Sequence, residues 1–330
     1  MNSPPASNTP ATPPVELLPP DITRWREGGT GTPWVHRLQA AAPGPTVMVQ
    51  ALTHGNEICG AIALDRLLRL IEHEQWRPAR GALILAFGNV DAYGRFDPAD
   101  PHRSRCVDED LNRVWADDVL GGVRDSVELR RARALRPFVD SAELLLDIHS
   151  MTEPCRPLMV CGQLDKHAAY ARELGTPADL LIDTGHPSGL RMVERGGFGD
   201  PASPKRALLV ECGQHWERAA ADVAWDTLLR FLVLTGCADA AWADDHGTLP
   251  LPPAQRLVRV TEAVVARSSD FRFLVPIEAF AVIERAGTPI AQDGEHTWRA
   301  PYDRTVLVMP GVAHLKPGNT MVRLGRFEGG

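Results

Sequence analysis

Four short stretches carry side chains that could act on one substrate. His54-Gly55-Asn56-Glu57 sets an imidazole and a carboxylate three residues apart, a spacing that lets both face one cation from a turn. Alone, the pair also reads as a turn histidine and a glutamate that favours the N-terminus of a following helix. Asp147-Ile148-His149 puts an aspartate and a second histidine on one face of an extended segment, because side chains alternate along a strand. Two histidines and one glutamate make the ligand set of a catalytic zinc site whose fourth position is left for water. Asp147 could then steady His149 from behind, with a plain structural role as the alternative. Glu211, in LLVECGQH, ends an apolar run and needs a partner or a task there. Near a metal it would take a proton from bound water and deliver it to a leaving nitrogen. At a sheet edge it would instead cap or form an ion pair. Its neighbour Cys212 should point the other way, into the core, and His215 could lie near the site, with a surface-loop histidine as the plainer reading. Arg105 and the run Asp108-Glu109-Asp110-Leu111-Asn112-Arg113 offer guanidinium groups that clamp carboxylates or steady an oxyanion. The same run also reads as an ordinary charged loop.

Such groups need rigid elements to hold them, and the apolar pattern supplies these. Thr46–Leu52 (TVMVQAL) reads as a buried strand, THGNE as a loop, and the next nineteen residues as a helix with apolar positions at helical spacing. Ala82–Val90 is a second buried strand, residues 91–113 a long polar loop, and Glu128–Phe138 an arginine-rich helix. Glu143–Ile148 and Arg206–Glu211 read as strands, Pro157–Cys161 and Leu180–Ile182 as weaker ones, and Trp216–Leu234 as an amphipathic helix. Strands alternating with helices imply a mostly parallel mixed sheet flanked by helices. Ligands of such sheets bind at the carboxyl ends of the strands, where His54, His149 and Glu211 all fall. HGTLPLPP (246–253) reads as a linker. Beyond it, Leu257–Ala266, Phe273–Ile283, Thr305–Met309 and Thr320–Leu324 show no helical period, so a small β-rich domain is expected over 247–330. Residues 1–20, dominated by Pro, Ser, Thr and Asn, are expected to form a disordered tail, leaving 21–246 as the α/β domain.

Composition narrows the partners. A net charge of −7 argues against a general nucleic-acid binder, which needs a basic face. It does not argue against a small anionic substrate held by a local arginine cluster. The six cysteines, at irregular spacing and without a C-x-x-C pair, read as reduced thiols of a cytoplasmic protein. There is no signal-peptide pattern and no apolar run of the ~20 residues that a membrane span needs. A small-molecule substrate is therefore expected, with no nucleic acid, no membrane and a possible homo-oligomer. Gly196-Gly197-Phe198-Gly199 does not complete a dinucleotide-binding fingerprint, and no G-x-S-x-G elbow is present.

H-x-x-E, then R-x-x-x-x-D-L-N-R, then D-I-H, then a strand ending V-E-C-G, in that order, resembles the succinylglutamate desuccinylase/aspartoacylase family, a branch of the zinc carboxypeptidases. The resemblance covers roughly residues 30–235, and the β-rich tail suits the small C-terminal domain of family members. It implies a zinc carboxypeptidase-like fold and one Zn²⁺ per chain held by His54, Glu57 and His149. It implies Glu211 as general base and Arg105 as the group that polarises the scissile carbonyl. Asn112 and Arg113 match the pair that anchors the substrate carboxylate, with Asp110 in support. The implied activity is removal of an acyl group from a small N-acyl amino acid by hydrolysis of a linear amide bond. The alternatives are a zinc carboxypeptidase acting on peptides and a non-catalytic metal-binding member of the fold.

One region departs from the family pattern. Aspartoacylases add an arginine and a tyrosine shortly before the general base to grip the aspartyl side chain. Here that stretch offers Arg191, Arg195 and Arg206 but no tyrosine, and the chain holds only Tyr93, Tyr170 and Tyr302. The acyl group and the side-chain preference stay open.

Overall fold

The computed structural model describes residues 13–312 and 315–328. The chain divides into two compact units, one of Val15–Met151 with Arg156–Leu257, the other of Thr152–Cys155 with the residues from Val258 on.

The larger unit comprises, in chain order, β1 (Val35–Gln39), β2 (Thr46–Ala51), α1 (Ile58–Glu74), β3 (Ala82–Phe87), α2 (Val90–Tyr93), α3 (Asp117–Leu120), α4 (Val127–Ser141), β4 (Leu144–Met151), β5 (Leu158–Val160), α5 (Asp165–Leu174), β6 (Asp179–Ile182), β7 (Arg206–Gln214), α6 (Arg218–Leu234) and α7 (Ala240–Asp245). Its strands lie in the order β1-β3-β2-β4-β7-β5-β6. β3, β2, β4 and β7 run parallel, β1 is antiparallel to β3, and β5 is antiparallel to β7 but parallel to β6. This is the expected mostly parallel mixed sheet flanked by helices. β2, β3 and β4 are buried on both faces because both faces are covered. Val47, Val49, Ala51, Leu146, Ile148, Leu208 and Val210 join α1 and α6 in one core. Gly60 lets α1 come this close: a Cβ there would stand 2.9 Å from the Ala51 Cβ and 3.1 Å from the Ile148 Cγ2. The alternate residues Gln50, Asp147, His149 and Glu211 therefore share the opposite face of the sheet.

The smaller unit comprises β8 (Arg256–Val265), β9 (Arg272–Phe273), β10 (Val282–Ile283), β11 (Pro289–Asp293), β12 (His296–Arg299), β13 (Thr305–Val308) and β14 (Thr320–Glu328). β14 lies beside β8, and β14-β13-β10 pair antiparallel, as do β12-β11-β9. Val264, Phe271, Ile290, Leu307, Val322 and Leu324 form its core. No described helix is long and apolar enough to cross a membrane.

Three expectations about organisation change. Of the tail expected over 1–20, residues 1–12 lie outside the described residues, and the part from Val15 on is packed rather than disordered. Leu17 is buried, Val15 lies against the same core, and the Glu16 N–H donates to the Trp216 carbonyl at 3.0 Å. Two apolar side chains with a core to enter outweigh a proline-rich average. The run Phe273–Ile283 is broken between β9 and β10, where Pro276 withholds a ladder donor. The division between units falls after Leu257 rather than at the proline-rich linker, and residues 152–155 join the β-rich unit.

Candidate active site

At the end of β2 the backbone turns sharply: Leu52 takes a left-handed φ of 59°, and its carbonyl accepts the Asn89 N–H at 2.6 Å. The turn is tight enough to need glycine at position 55, where a Cβ would stand 2.4 Å from the Ser104 carbonyl oxygen and 2.4 Å from the Tyr93 nitrogen. His54 and Glu57 are thereby presented above the sheet. Glu57 is the N-cap of α1, but its side chain makes no capping hydrogen bond. Its two oxygens go to two imidazoles instead. His54 Nδ1 lies 2.6 Å from Oε1 and His149 Nδ1 lies 2.8 Å from Oε2. The register of β4 on β2 sets Ile148 beside Ala51, so His149 arrives at the level of the turn.

The outer nitrogens of both rings are also held by carboxylates. His149 Nε2 is 2.8 Å from Asp147 Oδ2, and His54 Nε2 is 2.9 Å from Asp110 Oδ1. Asp147 is itself fixed: its Oδ1 accepts from Thr53 Oγ1 at 2.7 Å, and Thr53 Oγ1 accepts from Gln50 Nε2 at 2.7 Å. The rings meet edge to face with centroids 5.1 Å apart. One ligating atom from each of His54, Glu57 and His149 can be chosen so that all lie within 4.8 Å of one another, and all three residues are buried. Two inward Nδ1 atoms, a carboxylate between them and outer nitrogens tied to carboxylates fit a divalent metal bound by histidine and glutamate.

The electrostatics follow from this packing. Burial opposes ionisation of Glu57, yet His54 and His149 hold its carboxyl well below the usual carboxylate range. Burial disfavours a charged His149, yet Asp147 and Glu57 raise its imidazole well above the ordinary histidine range. Glu211 pairs with His149 across β4 and β7 on the same face of the sheet. Burial pushes its carboxyl well above the usual range, with His149 pulling against this and Glu57 adding to it. Its Oε2 is buried without a hydrogen-bond partner. A carboxyl whose affinity for a proton is raised in this way is suited to accept one from a neighbouring group.

The loop residues gather on the other side of His54. Arg105 Nη2 lies 3.1 Å from Asp110 Oδ2 and 3.0 Å from His54 Nε2, and Nη1 lies 3.5 Å from Glu57 Oε1. A guanidinium cannot accept a hydrogen bond, so of the two groups at His54 Nε2 only the Asp110 carboxylate can accept a proton from it. Asp110 also accepts the Asn112 N–H at 2.8 Å, and Arg113 Nη2 lies 3.7 Å from its Oδ2. The Asn112 amide oxygen accepts the Met192 N–H at 3.0 Å, which leaves its NH₂ half as the donor for a ligand. Arg113 Nη1 donates to the Asn112 carbonyl at 2.7 Å.

The arginines before β7 are committed elsewhere. Arg191 is buried and donates to both oxygens of Asp183 at 2.7 Å and to Glu194 at 2.7 and 3.0 Å. Arg195 donates to Asp140, Asp117 and the Trp115 carbonyl. Arg206 opens β7, over the Tyr170 ring, at the far end of the strand from Glu211. None of the three contacts the His54–Glu57–His149 set. Tyr93 donates to the Pro20 carbonyl, and Tyr302 belongs to the β-rich unit, where it bonds Thr261.

His215 is not on the surface. It is buried, its Nδ1 lies 2.8 Å from Ser150 Oγ, and the Ser150 N–H donates to Glu57 Oε2 at 3.2 Å. Burial lowers its imidazole to about 3. Cys212 is a buried thiol hydrogen-bonded to Cys59, and all six cysteines are free. Gln50 and Thr53 also belong to the site, although no sequence motif includes them. A glutamine inside a strand that is otherwise apolar was the available signal, since a buried amide needs partners.

Comparison with known proteins places the chain among relatives of one family. The family model for the succinylglutamate desuccinylase/aspartoacylase catalytic domain matches residues 43–223. A probable aspartoacylase of Parasynechococcus marenigrum is 29% identical over 280 residues, covering 76% of this chain and 86% of that protein. A succinylglutamate desuccinylase of Burkholderia cenocepacia is 25% identical over 321 residues, covering 89% of this chain and 85% of that one. The crystal structure of succinylglutamate desuccinylase from Vibrio cholerae superposes with a TM-score of 0.66 at 18% identity, covering 89% of this chain and 86% of the other, which is a likeness of fold.

Proposed function

This chain belongs to the succinylglutamate desuccinylase/aspartoacylase family, and from that premise we propose that it is a zinc-dependent amidohydrolase that removes the acyl group from a small N-acyl amino acid. The observation that carries the reading is the buried His54–Glu57–His149 set with Glu211 beside His149, its Oε2 buried without a partner. His54 Nδ1, His149 Nδ1 and Glu57 would hold the metal. When bound, zinc supplies Lewis acidity and brings the pKa of a coordinated water to about 7.

The chain's own groups do the rest. Glu211 takes a proton from the attacking water, and its burial makes it basic enough to keep that proton until the amide breaks. It then gives the proton to the departing amine, so water and amide become a carboxylic acid and a free amino group. Arg105 faces the carbonyl oxygen as negative charge grows on it, a contribution worth about 3–4 kcal/mol for one well-placed donor. The Asn112 NH₂ and the Arg113 guanidinium hold the substrate's α-carboxylate, which sets the amide in reach of Glu211. Asp110 keeps these groups in register by bonding His54, Arg105 and the Asn112 backbone at once. The relatives' names fit this reading, being those of an aspartoacylase and a succinylglutamate desuccinylase.

The test is metal analysis of the purified protein followed by a hydrolysis screen of N-acetyl and N-succinyl amino acids. The expected outcome is about one zinc per chain and turnover of at least one such substrate. Glu211→Gln should keep the metal and lose about 10²–10⁴-fold in kcat. A zinc-loaded protein that hydrolyses no N-acyl amino acid, or a Glu211→Gln variant with kcat within a few-fold of the parent, overturns the assignment.

A further inference from the structure

We propose that Glu128 is a positioning residue for the site, a buried carboxylate that braces residues 107–109 at the middle of the loop carrying Arg105, Asp110, Asn112 and Arg113, beside the turn that carries His54. For its catalytic consequence this rests on the hydrolase reading above.

Glu128 stands in the first turn of α4 and is fully buried. A glutamate there ordinarily serves its own helix end. That end is already served by Ser126, whose Oγ accepts the Leu129 N–H at 3.0 Å. The Glu128 carboxylate turns outward to the loop. Oε1 accepts the Val107 N–H at 2.6 Å, and Oε2 accepts the Asp108 N–H at 3.0 Å and the Glu109 N–H at 3.2 Å. Three successive backbone N–H groups on one carboxylate form the concave anion cradle that chains build for phosphate or carboxylate ligands. Here the chain fills it with its own side chain. The fourth donor is Asn89 Nδ2, at 2.9 Å from Oε1. Asn89 is the residue whose N–H donates to the Leu52 carbonyl where β2 turns toward His54.

The loop answers with reciprocal bonds. Asp108 Oδ2 accepts the Val127 N–H at 2.8 Å, and Glu109 Oε1 accepts from Ser126 Oγ at 2.6 Å. The clamped residues 107–109 lie between Arg105, whose carbonyl accepts the Gly55 N–H at 3.1 Å, and Asp110, which bonds His54. One buried charge thus braces the middle of the substrate-facing loop and, through Asn89, reaches the turn at Leu52, while Arg105 and Asp110 make the loop's own bonds to Gly55 and His54. A carboxylate without a cationic partner among these donors is expensive to bury unless every lone pair is used. A site in which an ångström of misplacement costs about 100-fold in rate gives such an anchor its use.

The experiment uses the full chain with Glu128→Gln and Glu128→Ala. Amide hydrogen exchange in the parent should show Val107, Asp108 and Glu109 protected. In the variants exchange over 105–113 should rise at least about tenfold, with zinc content unchanged. Against an N-acyl amino acid kcat/KM should fall about 100-fold. Against the matching N-acyl amine, which lacks the α-carboxylate, the fall should be at least about tenfold smaller, because the carboxylate anchor plays no part there. A general loss of stability would lower both substrates alike. Unprotected amides at 107–109 in the parent overturn the proposal without any variant. Unchanged exchange in a folded variant, or a preserved ratio between the two substrates, overturns it as well. If Glu128→Ala does not fold, the isosteric Glu128→Gln carries the same readings. If the parent hydrolyses no N-acyl amino acid, the function reading has failed, and the exchange arms still decide whether Glu128 holds the loop.

Discussion

Replacing Asp147 by asparagine removes one negative charge behind His149 and almost nothing else. Asp147 is fully buried, with Oδ2 2.8 Å from His149 Nε2 and Oδ1 accepting from Thr53 Oγ1 at 2.7 Å. Asparagine has the same shape and its carbonyl oxygen can still accept from the imidazole, while its NH₂ takes the place of the acceptor of Thr53 Oγ1, so the Thr53 proton must turn elsewhere. What changes is the basicity of the histidine: an imidazole backed by a carboxylate is a better electron-pair donor than one backed by an amide. Losing such a partner behind a metal-ligating histidine costs about 10–100-fold in metal affinity. At about 1.4 kcal/mol per decade that is about 1.4–2.8 kcal/mol. The complete enclosure of this pair puts the expectation at the upper end, since no solvent screens the lost charge. Competition for zinc against a chromophoric chelator at neutral pH measures it directly, with thermal unfolding of the metal-free proteins run alongside. Thr53→Val should give the same direction with a smaller loss, because Asp147 keeps its charge and loses one donor. If Asp147→Asn binds zinc within about threefold of the parent while folding normally, His149 is not a ligand oriented from behind, and the metal assignment loses its support.

Two further expectations concern the frame around the site. His167 is held between backbone groups: its Nδ1 accepts the Ala207 N–H at 3.0 Å and its Nε2–H donates to the Phe198 carbonyl at 2.9 Å. Only the neutral ring can do both, and burial, with a smaller effect of Lys166, lowers its pKa from 6.5 to about 4. The unfolded chain therefore binds the extra proton first, so stability should fall as pH drops from about 6.5 to about 4, by about 3 kcal/mol in all. Denaturant melts of the parent and His167→Gln across that range should show a fall in stability that is steeper in the parent by about this amount; equal slopes refute it. Gly55→Ala brings a Cβ to 2.4 Å from two backbone atoms. It should shift the turn, lower activity at least about tenfold and leave the fold intact by circular dichroism, whereas a fully active variant would show the turn has slack.

The alternation of apolar strands and helices made the mostly parallel sheet readable from the chain, because a sheet covered on both faces needs strands that are apolar throughout. Placing His54, His149 and Glu211 at the ends of such strands was readable for the same reason. Their ordered motifs also carried the family. The packed stretch from Val15 was not readable, since a proline-rich composition hides two core side chains. His215 looked like a surface histidine because nothing local shows that β7 continues to Gln214 and that the chain is still buried one residue later.

What the residues determined alone was which groups could do the chemistry and on what kind of element each would sit. Local propensity and strand periodicity operate over a few residues, and that was enough. Only the tertiary structure decided that Glu57 would serve two imidazoles far apart in the chain, that Asp147 would back one and Asp110 the other, and that Glu128 would reach across to hold the loop. The meeting of Glu57 with His149 depends on the register of β4 against β2, where a slip of one residue would turn His149 into the core. Register is settled by how whole faces of the sheet pack, and no short stretch of sequence contains that information.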